Sequence, residues 1–454
     1  MLEGCVPWPA SLAQRYRSRG WWEGVTIPEM LARSAARHPE KTALVSGDLR
    51  LSYRDLVEIS DRLACRFIAA GIRPLDRVVV QLPNGPDFVH TYFALTRIGA
   101  VPVMALRAHR HTEIRHFVRA SGATVYVIPD RIGSFDYRAM ATEVRADFPD
   151  LRAVFVAGEP GPGQLDLRAM MAAPMAAEAA RATLAQVRPD PSEVATMLLS
   201  GGTTSLSKLI PRTHDDYVLN ARLCGRAGGF GEDTVFMAIL PLGHNYNLAS
   251  PGMLGTWYHG GTVVLAPSGE AADVFSLVAR EKVTAIAAVV PLISNWLNST
   301  VPDGYELSSL RVIQNGGARL APELRSRLRA RFGCTPQEIY GTAEGLINMV
   351  PLDAPEEMVL NSSGAPVCED DEIKVLDDEG NEVPDGEPGE LATRGPYTIH
   401  GYYKAPEKNA EAFTPDHICP ADFTTKSFGY RWGRLKSAIR HRKSAYPVVF
   451  FQTY

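Results

Sequence analysis

Several features that would assign a protein class at once are missing from this chain. Its 454 residues include only six cysteines, none in a Cys-x-x-Cys pair. That pattern argues against a disulfide framework or a zinc site and favours reduced thiols in the cytoplasm. No apolar stretch approaches membrane-spanning length, and the first 24 residues hold no apolar signal-peptide core. We therefore expect a cytoplasmic protein with no membrane partner.

An excess of charge of one sign is also missing. The formal net charge is −4, with acidic and basic residues mixed along the chain, so we expect no nucleic-acid partner. We find no internal repeat and no heptad pattern. What the chain does have is length and 45% apolar residues, enough for a large interior divided into at least two lobes.

Two common catalytic signatures are absent as well. No Gly-x-Ser-x-Gly elbow is present, so the sequence gives no support for a Ser-His-Asp hydrolase.

A metal site is not indicated by the histidines either. His109, His111 and His116 lie close together in sequence, but arginines are interleaved with them. We expect a solvated basic face there rather than a metal site.

Short apolar strands alternate with helical segments along most of the chain. This alternation predicts an α/β fold of βαβ units, in which a parallel sheet carries helices on both faces. Ligands of such folds bind beyond the carboxyl ends of the strands. The predicted strands are Arg77–Gln81, Ala100–Ala105, Thr124–Ile128, Ala153–Ala157, Val194–Leu198, Thr234–Leu240, Thr262–Ala266, Thr284–Val290 and Leu310–Gln314, with a helix at Asp87–Ile98.

Two regions depart from this alternation. Residues 158–191, rich in Ala, Gly and Pro, are interpreted as a surface excursion between lobes. From Ser363 the pattern becomes β-rich, with predicted strands at Glu372–Leu376, Gly389–Thr393 and Thr398–Tyr403. We expect a small antiparallel β module there.

The most informative segment follows the predicted strand at Val194–Leu198. Two glycines would let the backbone approach an anion, the hydroxyls would donate hydrogen bonds, and one lysine adds a positive charge. The Gly-Lys-[Ser/Thr] ending of the common P-loop is absent, so an ordinary kinase or GTPase is not indicated. A polyphosphate cradle is one reading, and a polar turn is the other. The residues concerned are Ser200, Gly201, Gly202, Thr203, Thr204, Ser205 and Lys208.

Further motifs follow this loop in a fixed order, and together they are specific although each is weak alone. They resemble, over about residues 22–413, the large N-terminal domain of adenylate-forming enzymes (acyl-CoA synthetases, nonribosomal peptide adenylation domains and luciferases). The resemblance implies two packed, mostly parallel sheets with helices, in a domain of residues 1–416 that includes a β-rich part at about 363–416. The motifs lie at 240–246, 314–319, 338–345, 389–395 and 401–403.

Segments 15–22, 211–217 and 244–246 narrow the resemblance to aryl-acid adenylating enzymes of siderophore biosynthesis, such as 2,3-dihydroxybenzoate–AMP ligases. The implied activity joins an aryl acid to AMP from ATP, with 2,3-dihydroxybenzoate favoured. The aryl group then passes to the phosphopantetheine thiol of an aryl carrier protein. Salicylate, hydroxypicolinate and other acyl-CoA-type ligases remain alternatives, as does a non-catalytic aryl-acid-binding protein.

The resemblance also implies roles for individual residues. Lys208, His244 and Glu344 would be catalytic, and Glu344 would bind Mg²⁺ together with phosphate oxygens, a donor set that suits a hard cation. The alternative for Glu344 is a carboxylate that complements a helix dipole. The residues implied to bind ATP are Ser200, Gly201, Gly202, Thr203, Thr204, Gly316, Gly317, Ala318, Tyr340, Gly341 and Thr342.

The aryl acid would lie against Asn245, Tyr246, Ser250, Gly317 and Ile339. An asparagine amide can both donate and accept, so Asn245 suits a hydroxyl ortho to a carboxylate. The serine would meet a second ring hydroxyl, which favours 2,3-dihydroxybenzoate over salicylate. The alternative is that His244 and the tyrosine are core residues with satisfied polar tips.

The sequence departs from the family in two places. Ser205 and Ser207 stand where the family usually has Gly and Pro. The loop therefore lacks a residue that adopts positive φ freely and one with a fixed φ, which puts its conformational order and its affinity for ATP in doubt. Residues 417–454 show no match to the family's ribose-binding aspartate or to its small C-terminal domain, which carries a catalytic lysine. We expect this atypical tail to be irregular and adenylation to be slow. A frameshift, a truncation or descent from a specialised short homologue would each explain the tail.

Overall fold

The computed structural model describes residues 1–201, 206–377, 379–384 and 389–414, together with the backbone of Tyr430–Arg434 and Val449–Thr453. The strands, numbered along the chain, are β1 Thr42–Ser46, β2 Leu49–Ser52, β3 Arg77–Val80, β4 Val101–Met104, β5 Val125–Pro129, β6 Arg131–Ile132, β7 Phe135–Asp136, β8 Ala153–Ala157, β9 Leu165–Asp166, β10 Val194–Leu199, β11 Leu209–Thr213, β12 Val235–Ala238, β13 Thr262–Leu265, β14 Ala285–Ala288, β15 Val312–Asn315, β16 Thr335–Thr342, β17 Gly345–Met349, β18 Ala365–Pro366, β19 Glu372–Leu376, β20 Glu390–Arg394, β21 Tyr430–Arg434 and β22 Val449–Thr453.

The helices pack on both faces of these strands. They are α1 Ala10–Ser18, α2 Ile27–Arg37, α3 Tyr53–Ala69, α4 Pro86–Arg97, α5 His111–Ser121, α6 Tyr137–Asp147, α7 Leu167–Ala172, α8 Ala177–Leu184, α9 His214–Ala227, α10 Asn245–Ala249, α11 Gly252–Tyr258, α12 Ala271–Glu281, α13 Val290–Asn298, α14 Pro322–Phe332, α15 Glu356–Asn361 and α16 Pro406–Ala412. Helix α9 begins with a capping box, in which Thr213 and Asp216 satisfy each other's backbone N–H groups.

Two large sheets form the body of the molecule. One has the order β11-β10-β4-β3-β5-β8-β9, and the other has the order β18-β17-β16-β15-β14-β12-β13-β1-β2. The pairs inside each sheet are parallel, whereas β10–β11, β16–β17, β17–β18 and β1–β2 are antiparallel. The predicted α/β fold with two mostly parallel sheets is therefore confirmed.

The predicted loops occupy the carboxyl ends of neighbouring parallel strands. Residues 200–208 follow β10, residues 239–244 follow β12, and residues 316–319 follow β15. The turn at Ala343 and Glu344 joins β16 to β17. Because these strands run parallel, their loops gather at one edge of each sheet, which is where α/β folds bind ligands.

The predicted strand at Thr398–Tyr403 is wrong. Its β-branched and aromatic residues have strand propensity, but their backbone hydrogen bonds go elsewhere. The Ile399 N–H donates to the Glu344 carbonyl over 2.8 Å, and the Tyr403 N–H donates to the Leu209 carbonyl over 2.9 Å. The segment is a loop that hydrogen-bonds to both sheets. Within the described residues, β19 and β20 alone form the predicted β module.

The segment 158–191 lies largely at the surface, as predicted, but it also contains regular secondary structure. It contains β9, α7 and α8, and both helices pack against α3. Ala180 and Leu184 of α8 are buried in the main core. Apolar burial therefore holds an Ala-rich segment that its composition alone does not assign to the core.

The predicted irregular tail at 417–454 lies outside the described residues except for β21 and β22, which pair antiparallel. Within the described ranges, no helix is both long and apolar enough to cross a membrane.

Candidate active site

The predicted phosphate loop is the tip of the β10–β11 hairpin. The Ser200 N–H donates to the Lys208 carbonyl over 3.0 Å, and the Ser200 hydroxyl accepts from the Lys208 N–H over 2.9 Å. Among the described residues, no heavy atom lies within 4 Å of a Cβ added at Gly201, so they leave open space in front of this backbone. The predicted cradle residues Gly202, Thr203 and Thr204 lie outside the described residues.

Lys208 and Glu344 approach one another across Tyr402. The Lys208 ammonium lies 4.8 Å from the centroid of the Tyr402 ring, within the range of a cation–π interaction. The Tyr402 hydroxyl donates to Glu344 Oε1 over 3.0 Å. Residues that are 136 positions apart in the sequence are thus gathered around one aromatic side chain. We call Ser200, Gly201, Lys208, Thr342 and Glu344 the phosphate edge.

Arg212 supports the turn that carries Glu344. Its guanidinium donates to the Ala343 carbonyl over 3.0 Å and to the Tyr397 carbonyl over 3.1 Å. It also forms an ion pair of 2.7 Å with Asp216, in which both side chains are fully buried. Desolvation raises the pKa of the Asp216 carboxyl, and the guanidinium opposes that rise.

Gly316 and Tyr246 are in contact, as their predicted placement in one site requires. A Cβ at Gly316 would lie 2.9 Å from Cε1 of the tyrosine ring, so no larger residue fits without displacing that ring. Gly317 has a φ of +81°, a left-handed conformation that glycine adopts at no steric cost. Ile339 packs in the same buried cluster as Tyr246.

A buried carboxylate, that of Glu338, holds the loop 316–318 in place through Asn315. Glu338 accepts from Asn315 Nδ2 over 3.0 Å and pairs with Arg325 over 3.0 Å. The same Asn315 amide donates to the Ala318 carbonyl over 2.7 Å. Burial raises the pKa of Glu338 to about 7, although the guanidinium opposes the shift.

Four buried side chains on α9 and α10, or directly after them, form what we call the acid wall: Tyr217, Asn220, Asn245 and Ser250. The Tyr217 hydroxyl donates to Asn245 Oδ1 over 2.9 Å. Asn220 Nδ2 donates to the Ala249 carbonyl over 2.7 Å and to Ser250 Oγ over 3.0 Å. The predicted acid-binding Asn245 and Ser250 are therefore oriented by two side chains that sequence reasoning missed.

His244 is the N-cap residue of α10, and its Nδ1 accepts from the Tyr246 N–H over 3.3 Å. The residue is exposed, yet the surrounding protein desolvates its imidazole enough to lower the pKa. A neutral imidazole whose Nδ1 accepts a hydrogen bond carries its proton on Nε2. Nε2–H is therefore the donor that this histidine can offer.

The remaining predicted nucleotide-binding residues lie on or beside the β16–β17 hairpin. Gly341 is exposed and Thr342 is buried next to the turn. Tyr340 packs against Leu346 and Leu391, and burial raises the pKa of its hydroxyl. Thr342 belongs to the phosphate edge, and Tyr340 and Gly341 precede it on the same strand.

The missed residues left partial signals in the sequence. Arg212 and Tyr217 belong to the 211–217 motif, and Tyr402 belongs to the 401–403 motif. Asn220 follows Tyr217 by three positions, so both lie on one face of α9. What the motifs could not reveal was which partners these side chains would meet.

The residues of the phosphate edge suit a nucleoside triphosphate together with a hard cation. Glu344 supplies one carboxylate, and Mg²⁺ is commonly held by one or two carboxylates together with substrate phosphates. The part of the chain that the structure describes contains no group of three or more His, Cys, Asp or Glu side chains that could hold a metal ion. The open space at Gly201 and the positive charge of Lys208 fit a phosphate chain.

Known proteins are similar to this chain over nearly its whole length. The chain is 46% identical over 449 residues to the 2,3-dihydroxybenzoate-AMP ligase of Bacillus subtilis, covering 99% of this chain and 79% of that protein. It is 41% identical to the salicyl-AMP ligase / salicyl-S-ArCP synthetase of Mycobacterium tuberculosis, covering 91% of this chain and 73% of that one.

Among solved structures, the apo structure of MbtA from Mycobacterium smegmatis superposes with a TM-score of 0.88 at 36% identity, covering 100% of this chain and 80% of that one. Residues 31–403 match the family model of AMP-binding enzymes, and this range includes the phosphate edge and the acid wall. The chain belongs to the AMP-binding enzyme family of adenylate-forming ligases.

Proposed function

We propose that this protein activates an ortho-hydroxylated benzoic acid, with 2,3-dihydroxybenzoate preferred, by joining it to AMP. A carboxylate oxygen of the acid forms a bond to the α-phosphorus of ATP, and the bond to pyrophosphate breaks. The aryl group is then passed to the phosphopantetheine thiol of an aryl carrier protein in siderophore biosynthesis. The observation that carries this proposal is a neutral, hydrogen-bonded acid wall beside a charged phosphate edge.

The acid wall accounts for the choice of acid. Asn245 and Ser250 are buried, so a hydroxyl on the substrate replaces water as their partner. A benzoate without ring hydroxyls would leave both groups unpaired, at a cost of about 1–3 kcal/mol for each. The Tyr246 ring and Gly316 supply an apolar surface for the face of the aryl ring.

The phosphate edge accounts for the activation step. ATP with Mg²⁺ would supply the electrophilic phosphorus and a good leaving group. Lys208 contributes positive charge where negative charge is concentrated, and Glu344 offers an oxygen ligand to the cation. His244 offers its Nε2–H to the carboxylate or the α-phosphate. Positioned charge and hydrogen bonding of this kind suffice for attack on phosphorus, which needs little covalent help from the protein.

Two assays test the proposal together. Aryl-acid-dependent exchange of pyrophosphate into ATP measures activation, and calorimetry measures binding of the acid itself. We expect exchange and binding with 2,3-dihydroxybenzoate to exceed those with salicylate, and those with salicylate to exceed those with benzoate. Absence of both exchange and binding with every acid would overturn the proposal.

The same assays distinguish the alternatives. Binding of the acids without any exchange would identify a non-catalytic aryl-acid-binding protein. Faster transfer of the aryl group to the thiol of coenzyme A than to that of an aryl carrier protein would identify an acyl-CoA-type ligase. Lys208→Ala is the matched control, because it should remove exchange and leave binding of the acid intact.

A further inference from the structure

Tyr217 lies behind the acid-binding residue Asn245 and is itself completely buried. Its ring packs against the Arg212 guanidinium, 4.8 Å from the ring centroid. Within the described residues its hydroxyl forms one hydrogen bond, to Asn245 Oδ1 at 2.9 Å. Burial raises the pKa of the phenol further above its usual value of about 10, and the Asp216 carboxylate adds to that rise, so the hydroxyl keeps its proton at neutral pH.

The direction of this hydrogen bond fixes the orientation of the Asn245 amide. A buried hydroxyl proton needs an acceptor, and Asn245 Oδ1 is the one recorded for Tyr217 within the described residues. The amide oxygen therefore faces Tyr217, and the amide nitrogen faces the other way. Among the described residues, none accepts a hydrogen bond from Asn245 Nδ2, which leaves its N–H groups for a ligand.

Ser250 is oriented in the same sense by Asn220. Its oxygen accepts from Asn220 Nδ2 over 3.0 Å, so its own proton points elsewhere. The sulfur of Cys224, which lies within reach of that hydroxyl, is a weak acceptor that a substrate oxygen can replace. Asn245 and Ser250, the two members of the acid wall proposed to contact the ring hydroxyls, thus present donors rather than acceptors.

We propose that Tyr217 is a specificity-determining positioning residue that makes the acid wall select ortho-hydroxybenzoates and reject ortho-aminobenzoates. This inference rests on the proposed function. The hydroxyl of salicylate donates internally to its own carboxylate and keeps lone pairs that can accept from Asn245. The amino nitrogen of anthranilate delocalises its lone pair into the ring, so it presents donors that oppose the donors of the wall.

Calorimetric titration with salicylate and with anthranilate tests this inference in three proteins. The wild type should bind salicylate more tightly by about tenfold, the usual cost of one unsatisfied buried group. Tyr217→Phe removes the hydroxyl that orients the amide, so the Asn245 side chain can rotate and the ratio should fall to about two or less. Tyr53→Phe is the matched control, because its hydroxyl also makes one buried hydrogen bond, to the Gly261 carbonyl, away from the site.

The outcomes separate the two proposals. A selectivity ratio that Tyr217→Phe leaves unchanged, in a folded protein, overturns the role of Tyr217. Equal affinity of the wild type for both acids overturns the inference even if Tyr217→Phe does not fold. Failure of the wild type to bind either acid counts instead against the proposed function. Loss of selectivity in Tyr53→Phe as well would mean that any buried hydroxyl has the same effect, which also contradicts the inference.

Discussion

The acid wall and the phosphate edge differ in the charge of their side chains and in the contribution that each makes to function. The acid wall is built from neutral side chains on α9 and α10 that hydrogen-bond to each other in the core. The phosphate edge is assembled from a hairpin tip and a β-turn that both contact Tyr402, and it contains a lysine and a glutamate. Buried neutral groups give selectivity because each unpaired group is costly, whereas charge on strand-end loops serves binding and rate.

Arg212 is where the two regions meet, and removing it should have the largest effect. Arg212→Met leaves the buried Asp216 carboxylate without its ion-pair partner and removes support from the Ala343 carbonyl, so we expect a loss of about 3–5 kcal/mol in the free energy of unfolding. Urea denaturation measures it. Arg168→Met is the control, because its ion pair with Asp87 is exposed and should cost at most about 1 kcal/mol. Similar losses in the two variants would mean that Arg212 does not join the two regions.

Lys208→Ala and Glu344→Ala should separate the two regions functionally. We expect each to weaken Mg-ATP binding and to lower pyrophosphate exchange by about 100-fold, because positioned charge supplies much of the stabilisation. Affinity for the aryl acid and the circular dichroism spectrum should stay unchanged. Lys404→Ala is the control, since that lysine also lies over a tyrosine ring, Tyr403, but is exposed. Unfolding of either site variant would indicate a structural role instead.

Ser250→Ala should change the acid wall without touching the phosphate edge. Affinity for 2,3-dihydroxybenzoate should fall by about 1–3 kcal/mol, because the second ring hydroxyl loses its partner. Affinity for salicylate should be spared, which provides an internal control in the same protein. Equal losses for both acids in calorimetry would show that Ser250 does not meet the second hydroxyl.

The helix that carries the acid wall begins with a buried histidine. Desolvation lowers the pKa of His214 to about 3, and its Nδ1 accepts from the Ile27 N–H over 3.1 Å. Because the folded pKa lies below the unfolded value of about 6.5, His214 lowers stability as the pH falls below 6.5, by up to about 1.4 kcal/mol per pH unit. His214→Gln should reduce the slope of unfolding free energy between pH 6.5 and 5. An unchanged slope would assign the acid sensitivity to other groups.

The positions of the strands and of the site loops could be predicted because they depend on local patterns. Apolar runs such as Ala153–Ala157 gave the strands, and parallel strands place their following loops at one edge. The predicted strand at Thr398–Tyr403 is wrong because the composition of the segment matches a strand, while its hydrogen-bond partners are distant in sequence.

The supporting residues of the site were missed for a related reason. Tyr402 meets Glu344 across 58 positions, and Tyr217 meets Asn245 across 28. A sequence pattern records that a polar residue lies on a helix face, but the packing of two elements decides which atom it faces. The orientation of the Asn245 amide is information of this second kind.

The most direct test of the account is the affinity of this chain for 2,3-dihydroxybenzoate compared with benzoate, measured by calorimetry under identical conditions. The two acids share the carboxylate and the ring, so their difference reports the acid wall alone. We predict that 2,3-dihydroxybenzoate binds more tightly by about 1–3 kcal/mol for each hydroxyl that finds a partner, which is at least about fivefold. Equal affinity would contradict the account.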